Sequence, residues 1–221
     1  MLIGLAFRGS DKNIPLHFEI ENDVMTFKVK DHYFKKAKQE NFVARSIYKL
    51  EEIDQKYHVL KKNDQVLDLG YYPGSWIQYS SNKVGASGQV IGCDIQPIND
   101  KIKALKNVTL FQKDVFQIKA VGDLGLEKFF DVVLSDMAPS TTGIKTVDQF
   151  KSLELVEKVF DLLDKCLRPG GNFVIKVFES QDAQEFLKSQ RKRFKELNYL
   201  RPKSTRSISK EYFAIGKDFV C

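Results

Sequence analysis

The stretch that most constrains this chain is Gln65-Val-Leu-Asp-Leu-Gly-Tyr-Tyr-Pro-Gly-Ser-Trp76. An apolar run stops at Gly70, the chain turns through Pro73-Gly74, and helix-like spacing begins at Trp76. That order predicts a strand, a tight loop and a helix start, the first unit of an open α/β sheet. Ligands of such sheets sit in the crevice outside the carboxyl ends of the strands. The loop is not the G-x-G-x-x-G dinucleotide fingerprint, because Tyr71, Tyr72 and Pro73 occupy its middle. Its bland alternative is an ordinary turn in some other α/β enzyme.

Downstream, strand and helix patterns alternate. Strands are expected at Gln89–Asp94, Val108–Phe111, Asp131–Asp136, Asn172–Phe178 and Glu211–Gly216. Helices are expected at Trp76–Val84, about Val147–Leu167 and about Asp182–Leu197. Such alternation indicates one doubly wound domain, here with an antiparallel last strand. Before the Gly70 loop, Asp31 to His58 reads as helical, with Ile47, Leu50 and Tyr57 facing inward and a basic opposite face. Residues 1–30 show no clean period and form an N-terminal extension; the domain is expected over 31–221.

A length of 221 residues allows one domain with a full core and falls short of two. The net charge of +6 fits a polyanionic partner but equally fits solvated lysines. No apolar run approaches the ~20 residues of a membrane span. Cys93, Cys166 and Cys221 match neither a zinc spacing nor a disulfide framework, and His17, His32 and His58 form no ligand-like pair. No metal is expected, and a reduced intracellular, by default cytoplasmic, setting follows. No targeting signal is visible.

Four residues stand out by position. Asp94 ends the second strand, where an acid can grip a ribose through its hydroxyls. Asp114 follows the third strand, where it would flank an adenine ring. Asp136 ends the fourth, held at the sheet edge by Pro139. Lys176 lies inside the apolar fifth strand, where an unpaired charge is costly. Each has a structural alternative, as a strand terminator or one half of a buried ion pair.

Taken with Lys49 and Glu211, these motifs resemble the FtsJ/RrmJ family of RNA ribose 2′-O-methyltransferases. The resemblance is carried by Ala44-Arg-Ser-Ile-Tyr-Lys-Leu50, Asp68-Leu-Gly-Tyr-Tyr-Pro-Gly-Ser-Trp76, Ser135-Asp-Met-Ala-Pro139, Pro169-Gly-Gly171 with Val174-Ile-Lys-Val-Phe178, and Ser204-Thr-Arg-Ser207 leading to Glu211. It spans about residues 31–217. It implies a Rossmann-like fold with a seven-stranded, mostly parallel sheet and helices on both faces. It also implies S-adenosyl-L-methionine (SAM) as cofactor, with S-adenosyl-L-homocysteine as product. The family's catalytic tetrad maps onto Lys49, Asp136, Lys176 and Glu211, with Lys176 as proton acceptor. Cofactor contacts map onto Gly70, Pro73, Gly74, Ser75, Trp76, Asp94, Asp114 and Asp136. Two departures stand out: Tyr71-Tyr72 replaces small residues, and Ser75 replaces a frequent second glycine.

The chemistry is coherent by itself. Methyl transfer from a sulfonium is an in-line displacement, so much of the catalysis is positioning. A ribose 2′-hydroxyl benefits from a base that removes its proton as the new bond forms. Burial and a neighbouring cation, here Lys49, each favour a lysine's free amine. Lys35, Lys38, Arg45, Lys203 and Arg206 are candidate RNA contacts that would position a backbone without reading sequence. Tyr33, Tyr48 and Tyr212 could stack bases or simply fill the core. The resemblance favours a uridine of large-subunit ribosomal RNA, within a ribosomal particle, and a monomeric enzyme. A tRNA anticodon-loop substrate, a small-molecule or protein substrate, and an inactive RNA-binding module are the rivals.

Overall fold

A computed structural model describes residues 32–125, 129–140 and 142–220; the expectations for residues 1–30 and for Cys221 fall outside them. Seven strands form one sheet: β1 (Gln65–Leu69), β2 (Gln89–Asp94), β3 (Val108–Gln112), β4 (Phe130–Ser135), β5 (Leu167–Phe178), β6 (Phe194–Leu200) and β7 (Glu211–Phe219). Their spatial order is β3-β2-β1-β4-β5-β7-β6. From β3 to β5 every pairing is parallel, whereas β7 runs antiparallel to both β5 and β6. The expected mostly parallel seven-stranded sheet with an antiparallel last strand is therefore observed.

The helices are α1 (residues 32–39), α2 (Ile47–Tyr57), α3 (Ser75–Val84), the short α4 (Asp100–Lys103), α5 (Lys145–Cys166) and α6 (Gln181–Gln190). Successive strand residues point to opposite faces, and two apolar layers follow. Leu67, Ile91, Val133 and Phe173 pack with Val156, Phe160 and Leu163 of α5 and Leu187 of α6. Val66, Val90, Val132, Val174 and Phe213 pack with Leu50 and Ile53 of α2 and Ile77 of α3. A central strand such as β1, covered on both faces, needs a near-continuous apolar run, and Val66, Leu67 and Leu69 are all fully buried.

Two elements differ from the sequence expectation. The helical stretch expected from Asp31 to His58 is broken: Asn41 takes a left-handed conformation (φ +60°), and the Phe42 amide bonds back to Ala37. The chain then restarts as α2. The helix expected to run to Leu197 stops at Gln190, and Phe194–Leu200 becomes the edge strand β6. Phe194 and Leu197, three apart, imitate helical spacing. The pairing groups of β7 and the ring cluster of Phe194 with Phe160, Phe173 and Phe219 outweigh that preference.

Gly216 in β7 lies opposite Phe173 of β5, and a methyl group there would sit 1.9 Å from the Phe173 ring. Gly216→Ala is expected to lower stability by about 1–3 kcal/mol through overpacking. A urea titration followed by far-UV circular dichroism checks this; an unchanged midpoint would mean that the Phe173 ring moves freely.

Candidate active site

The turn after β1 creates the site. Gly70 has φ +74°, and a Cβ on it would lie 2.2 Å from Met137 Cγ, so only glycine lets this turn approach the loop after β4. Asp94, at the end of β2, braces the same turn. Its Oδ2 accepts from the Tyr72 amide (2.9 Å) and its Oδ1 from the Gln96 amide (2.8 Å). Asp114 follows β3 and accepts from the Phe116 amide (3.0 Å). Gly70, Tyr72, Asp94, Asp114, Asp136 and Met137 thus surround a cleft of about 590 Å³ at the carboxyl edge of the sheet. That volume suits a small organic ligand. Each carboxylate oxygen keeps a lone pair for a hydroxyl or amino donor.

Beneath the cleft lies a residue that the sequence reading missed as part of the site. Asp68 is fully buried, and among the described residues neither of its oxygens has a hydrogen-bond partner. Burial, followed by the charges of Asp136 and Asp94, holds its carboxyl well above the usual carboxylate range. Asp68 faces a cavity of about 10 Å³ lined by Ser46, Gly70, Ser75, Trp76 and Asp136. The signal was available: an acid inside an apolar strand is as costly as the lysine in β5.

Two cation–carboxylate pairs lie at this end of the sheet, and one of them adjoins the cleft through Asp136. The Lys176 ammonium donates to the Asp136 carboxylate (Oδ1, 3.0 Å) and to the Asp136 backbone carbonyl. The Lys176 side chain is only 8% exposed. Lys49 of α2 donates to Glu211 Oε1 at 2.5 Å. Strand alternation turns Asp68, Lys176 and Glu211 toward the sheet face that carries α2, and Lys49 reaches down from that helix. Arg45, just before α2, donates to the Ser204 carbonyl (2.9 Å) and so ties the loop before β7 to this corner. Burial, then the nearby Arg206 charge, lower the Arg45 pKa.

The other expected contacts divide. Ser75 and Trp76 line the small cavity beside Asp68. Ser75 Oγ lies 2.8 Å from Ser46 Oγ, and the Trp76 indole donates to the Ser46 carbonyl (2.9 Å), joining α3 to α2. Pro73 and Gly74 line neither space. The Pro73 carbonyl accepts from Asn99 (2.8 Å), and a Cβ on Gly74 would lie 2.1 Å from Ile102 Cδ1, so both shape the turn from behind. Lys35, Lys38, Lys203 and Arg206 are exposed, whereas Tyr48 is core. Cys93 and Cys166 are buried thiols, and no helix among the described residues is long and apolar enough to cross a membrane.

With this geometry in view, the chain can be compared with known proteins. The family model described as FtsJ-like methyltransferase matches residues 42–219. A protein of Bdellovibrio bacteriovorus named ribosomal RNA large subunit methyltransferase E is 46% identical over 201 residues, covering 87% of this chain and 98% of that protein. One of the same name from Nitratidesulfovibrio vulgaris is 45% identical over 190 residues, covering 85% and 92%. A solved structure from Plasmodium falciparum, whose name assigns it provisionally as a ribosomal RNA methyltransferase, superposes with a TM-score of 0.71 at 27% identity. It covers 80% of this chain and 98% of that one.

The Asp68 carboxyl yields a stability prediction whose sign is fixed by linkage. Its folded-state pKa is raised. As pH climbs past ~3.9, the ordinary Asp value, the unfolded chain releases this proton while the folded chain retains it. Folding is therefore progressively disfavoured up to the raised folded value. Asp68→Asn removes that penalty, so in the ligand-free protein its melting temperature should equal wild type at low pH and exceed it toward neutrality. At this chain length, 1 kcal/mol corresponds to roughly 2–4 °C. A gap that shrinks with rising pH in thermal melts would show the carboxyl to be paired and ionised in the native state.

Proposed function

The chain belongs to the FtsJ-like methyltransferase family, and we propose that it transfers the methyl group of SAM to a ribose 2′-hydroxyl of RNA, a uridine of large-subunit ribosomal RNA. The names of the relatives support the choice of ribosomal RNA. The observation that carries the reading is the Lys176–Asp136 pair at the lip of the cleft, with the Lys49–Glu211 pair on the same sheet face.

The residues present fit the proposed cofactor. SAM is a cation with a sulfonium and an ammonium, and Asp68, Asp94 and Asp136 give the cleft and its floor three carboxylates. The orphaned Asp68 is the strongest sign, because a buried acid without a partner is explained by a cation or an ordered water placed beside it. Asp94 and Asp114 are disposed to accept from a nucleoside's hydroxyls and amino group. Gly70 gives the backbone its close approach. When bound, SAM supplies an electrophilic methyl group and a neutral thioether leaving group.

Lys176 is the proposed proton acceptor. Once the Lys176 ammonium has released one proton to solvent, the neutral amine has two donors and one lone pair. The carbonyl and the carboxylate of Asp136 offer two acceptors to Lys176. With both donors engaged, the lone pair remains for the 2′-hydroxyl proton. Asp136 then holds the ammonium that forms. Lys49, paired with Glu211, would orient the hydroxyl without adding a free charge. Positioning is the larger contribution, since the displacement has to be in line, and proton removal adds about 10²–10⁴-fold.

The test is transfer of labelled methyl from SAM to unmodified ribosomal particles, total RNA and tRNA. Label in large-subunit RNA at one alkali-resistant linkage is expected. Lys176→Ala should lower turnover by about 10²–10⁴-fold with SAM affinity nearly intact. Asp68→Asn should instead weaken SAM binding about tenfold or more, as expected for loss of a charged partner. Label in tRNA alone would keep the reaction and overturn the substrate. Equal loss of SAM binding and turnover in Lys176→Ala would make Lys176 structural.

A further inference from the structure

A second cavity, of about 630 Å³, is distinct from the cleft at the carboxyl edge. It opens at the same end of the sheet, on the face that carries α5 and α6 and opposite the paired lysines, between α6 and the ends of β6 and β7, and Glu211 belongs to its wall. β7 produces this arrangement by alternation. Glu211 turns toward α2 and Lys49, while the next residue, Tyr212, turns toward α5 and α6.

Two kinds of side chain line the cavity. Tyr199 and Tyr212 meet edge to face, with ring centres 6.0 Å apart at 71°. Tyr199 is 49% exposed, so a face of its ring is open to a ligand. Around the rings stand Lys188, Arg191, Arg201 and Lys210, opposed by Glu179 and by Glu211, which Lys49 already neutralises. Arg191 donates to the carbonyls of Phe194 and Lys195, and Arg201 to those of Ser207 and Ser209, so both guanidinium groups are held at the rim with donors to spare. Among the described residues, the Lys188 and Lys210 ammonium groups form no hydrogen bond or ion pair.

We propose that this cavity is a second nucleotide subsite, which takes an unpaired base of single-stranded RNA against Tyr199 and Tyr212 and its phosphates against the four surrounding cations. An exposed aromatic face with a cationic rim is the chemistry that recognises single-stranded nucleic acid. An anionic strand also matches the excess of positive charge, whereas an aliphatic ligand would leave the four cations without purpose. The inference rests on the proposed RNA methylation and extends it. A strand that presents its ribose to Lys176 continues past Glu211, around the sheet edge, to the opposite face. The subsite reads no base edge and acts as a splint: by holding a neighbouring nucleotide out of its stack, it keeps the target ribose in place.

The test uses the full chain with two probes, a labelled octauridylate and undermethylated large-subunit particles. In Tyr199→Ala, and in the Lys188→Ala, Lys210→Ala double variant, octauridylate affinity should fall about tenfold or more. The KM for particles should rise in parallel, with kcat and SAM affinity unchanged. Tyr199→Phe should restore both, because it keeps the stacking face. In the double variant the salt dependence of binding should also flatten, because fewer counterions are released. Unchanged octauridylate binding in Tyr199→Ala and the double variant would overturn the subsite, even if methylation of ribosomal RNA by the wild type stands. A raised particle KM with unchanged octauridylate binding would assign the cavity to a protein of the particle and would also overturn it. If the wild type methylated no RNA yet lost octauridylate binding on these substitutions, the subsite would stand and the reaction would fall.

Discussion

β1 holds a carboxylate one residue from its end, β2 ends in one, and β4 is followed by one. The parallel register that aligns these strands therefore gathers three negative charges at a single edge. Asp68 sits opposite Gly92 and Leu134 in the neighbouring strands, Asp94 closes β2, and Asp136 follows Ser135, the last residue of β4. Like charges in a buried setting repel, and the burden falls on the deepest of them, whose carboxyl is driven toward its neutral form. Much of the surrounding design answers that cost. Lys176 takes up Asp136, the amides of Tyr72 and Gln96 take up Asp94, and Asp68 alone is left without a partner. Under the proposed reading, a cationic cofactor beside Asp68 would offset that cost.

The second pair has a different geometry but the same purpose. Lys49 and Glu211 are 162 residues apart in the chain. They meet because α2 packs on the face toward which β7 turns its first side chain. Charges so little exposed are seldom net contributors to stability, since desolvation offsets most of their attraction. Their value is in fixing position: the pair locks the start of β7 to α2, and Arg45 with Ser204 does the same for the preceding loop. This corner of the sheet is therefore cross-braced to α2 through both β7 and the loop before it.

Legibility in the sequence followed burial. The parallel strands announced themselves as apolar runs, and Lys176 was conspicuous because nothing else from Asn172 to Phe178 carries charge. Asp68 obeyed the same rule but lay inside the glycine-loop motif, where attention fell on the turn rather than on the strand feeding it. β6 could not be read from its own residues. Its seven-residue segment has apolar positions three apart, as a helix would, and it becomes a strand only because β7 offers an open edge. The break between α1 and α2 depends on a single left-handed asparagine, a conformation that asparagine adopts readily but not obligatorily. Long-range partners, not local propensity, decided each element that was misread.

The same dependence on non-local pairing explains why the paired lysines and the second cavity lie on opposite faces. β7 is the one strand that runs against its neighbours, so it begins, where the parallel strands finish, at the ligand-bearing edge. Its first residue faces the catalytic corner and its second faces α6. A parallel strand in that place would have begun at the far edge, leaving both Glu211 and Tyr212 remote from the cleft. Reversal of one strand thus gives a single edge two chemically distinct surfaces joined through one peptide unit. One is acidic, with pairing lysines, and suits a cation and a hydroxyl. The other is aromatic and basic, and suits a base and its phosphates. Under the proposed ribose methylation, a polymer with one sugar to be modified and neighbours to be held apart would use both surfaces.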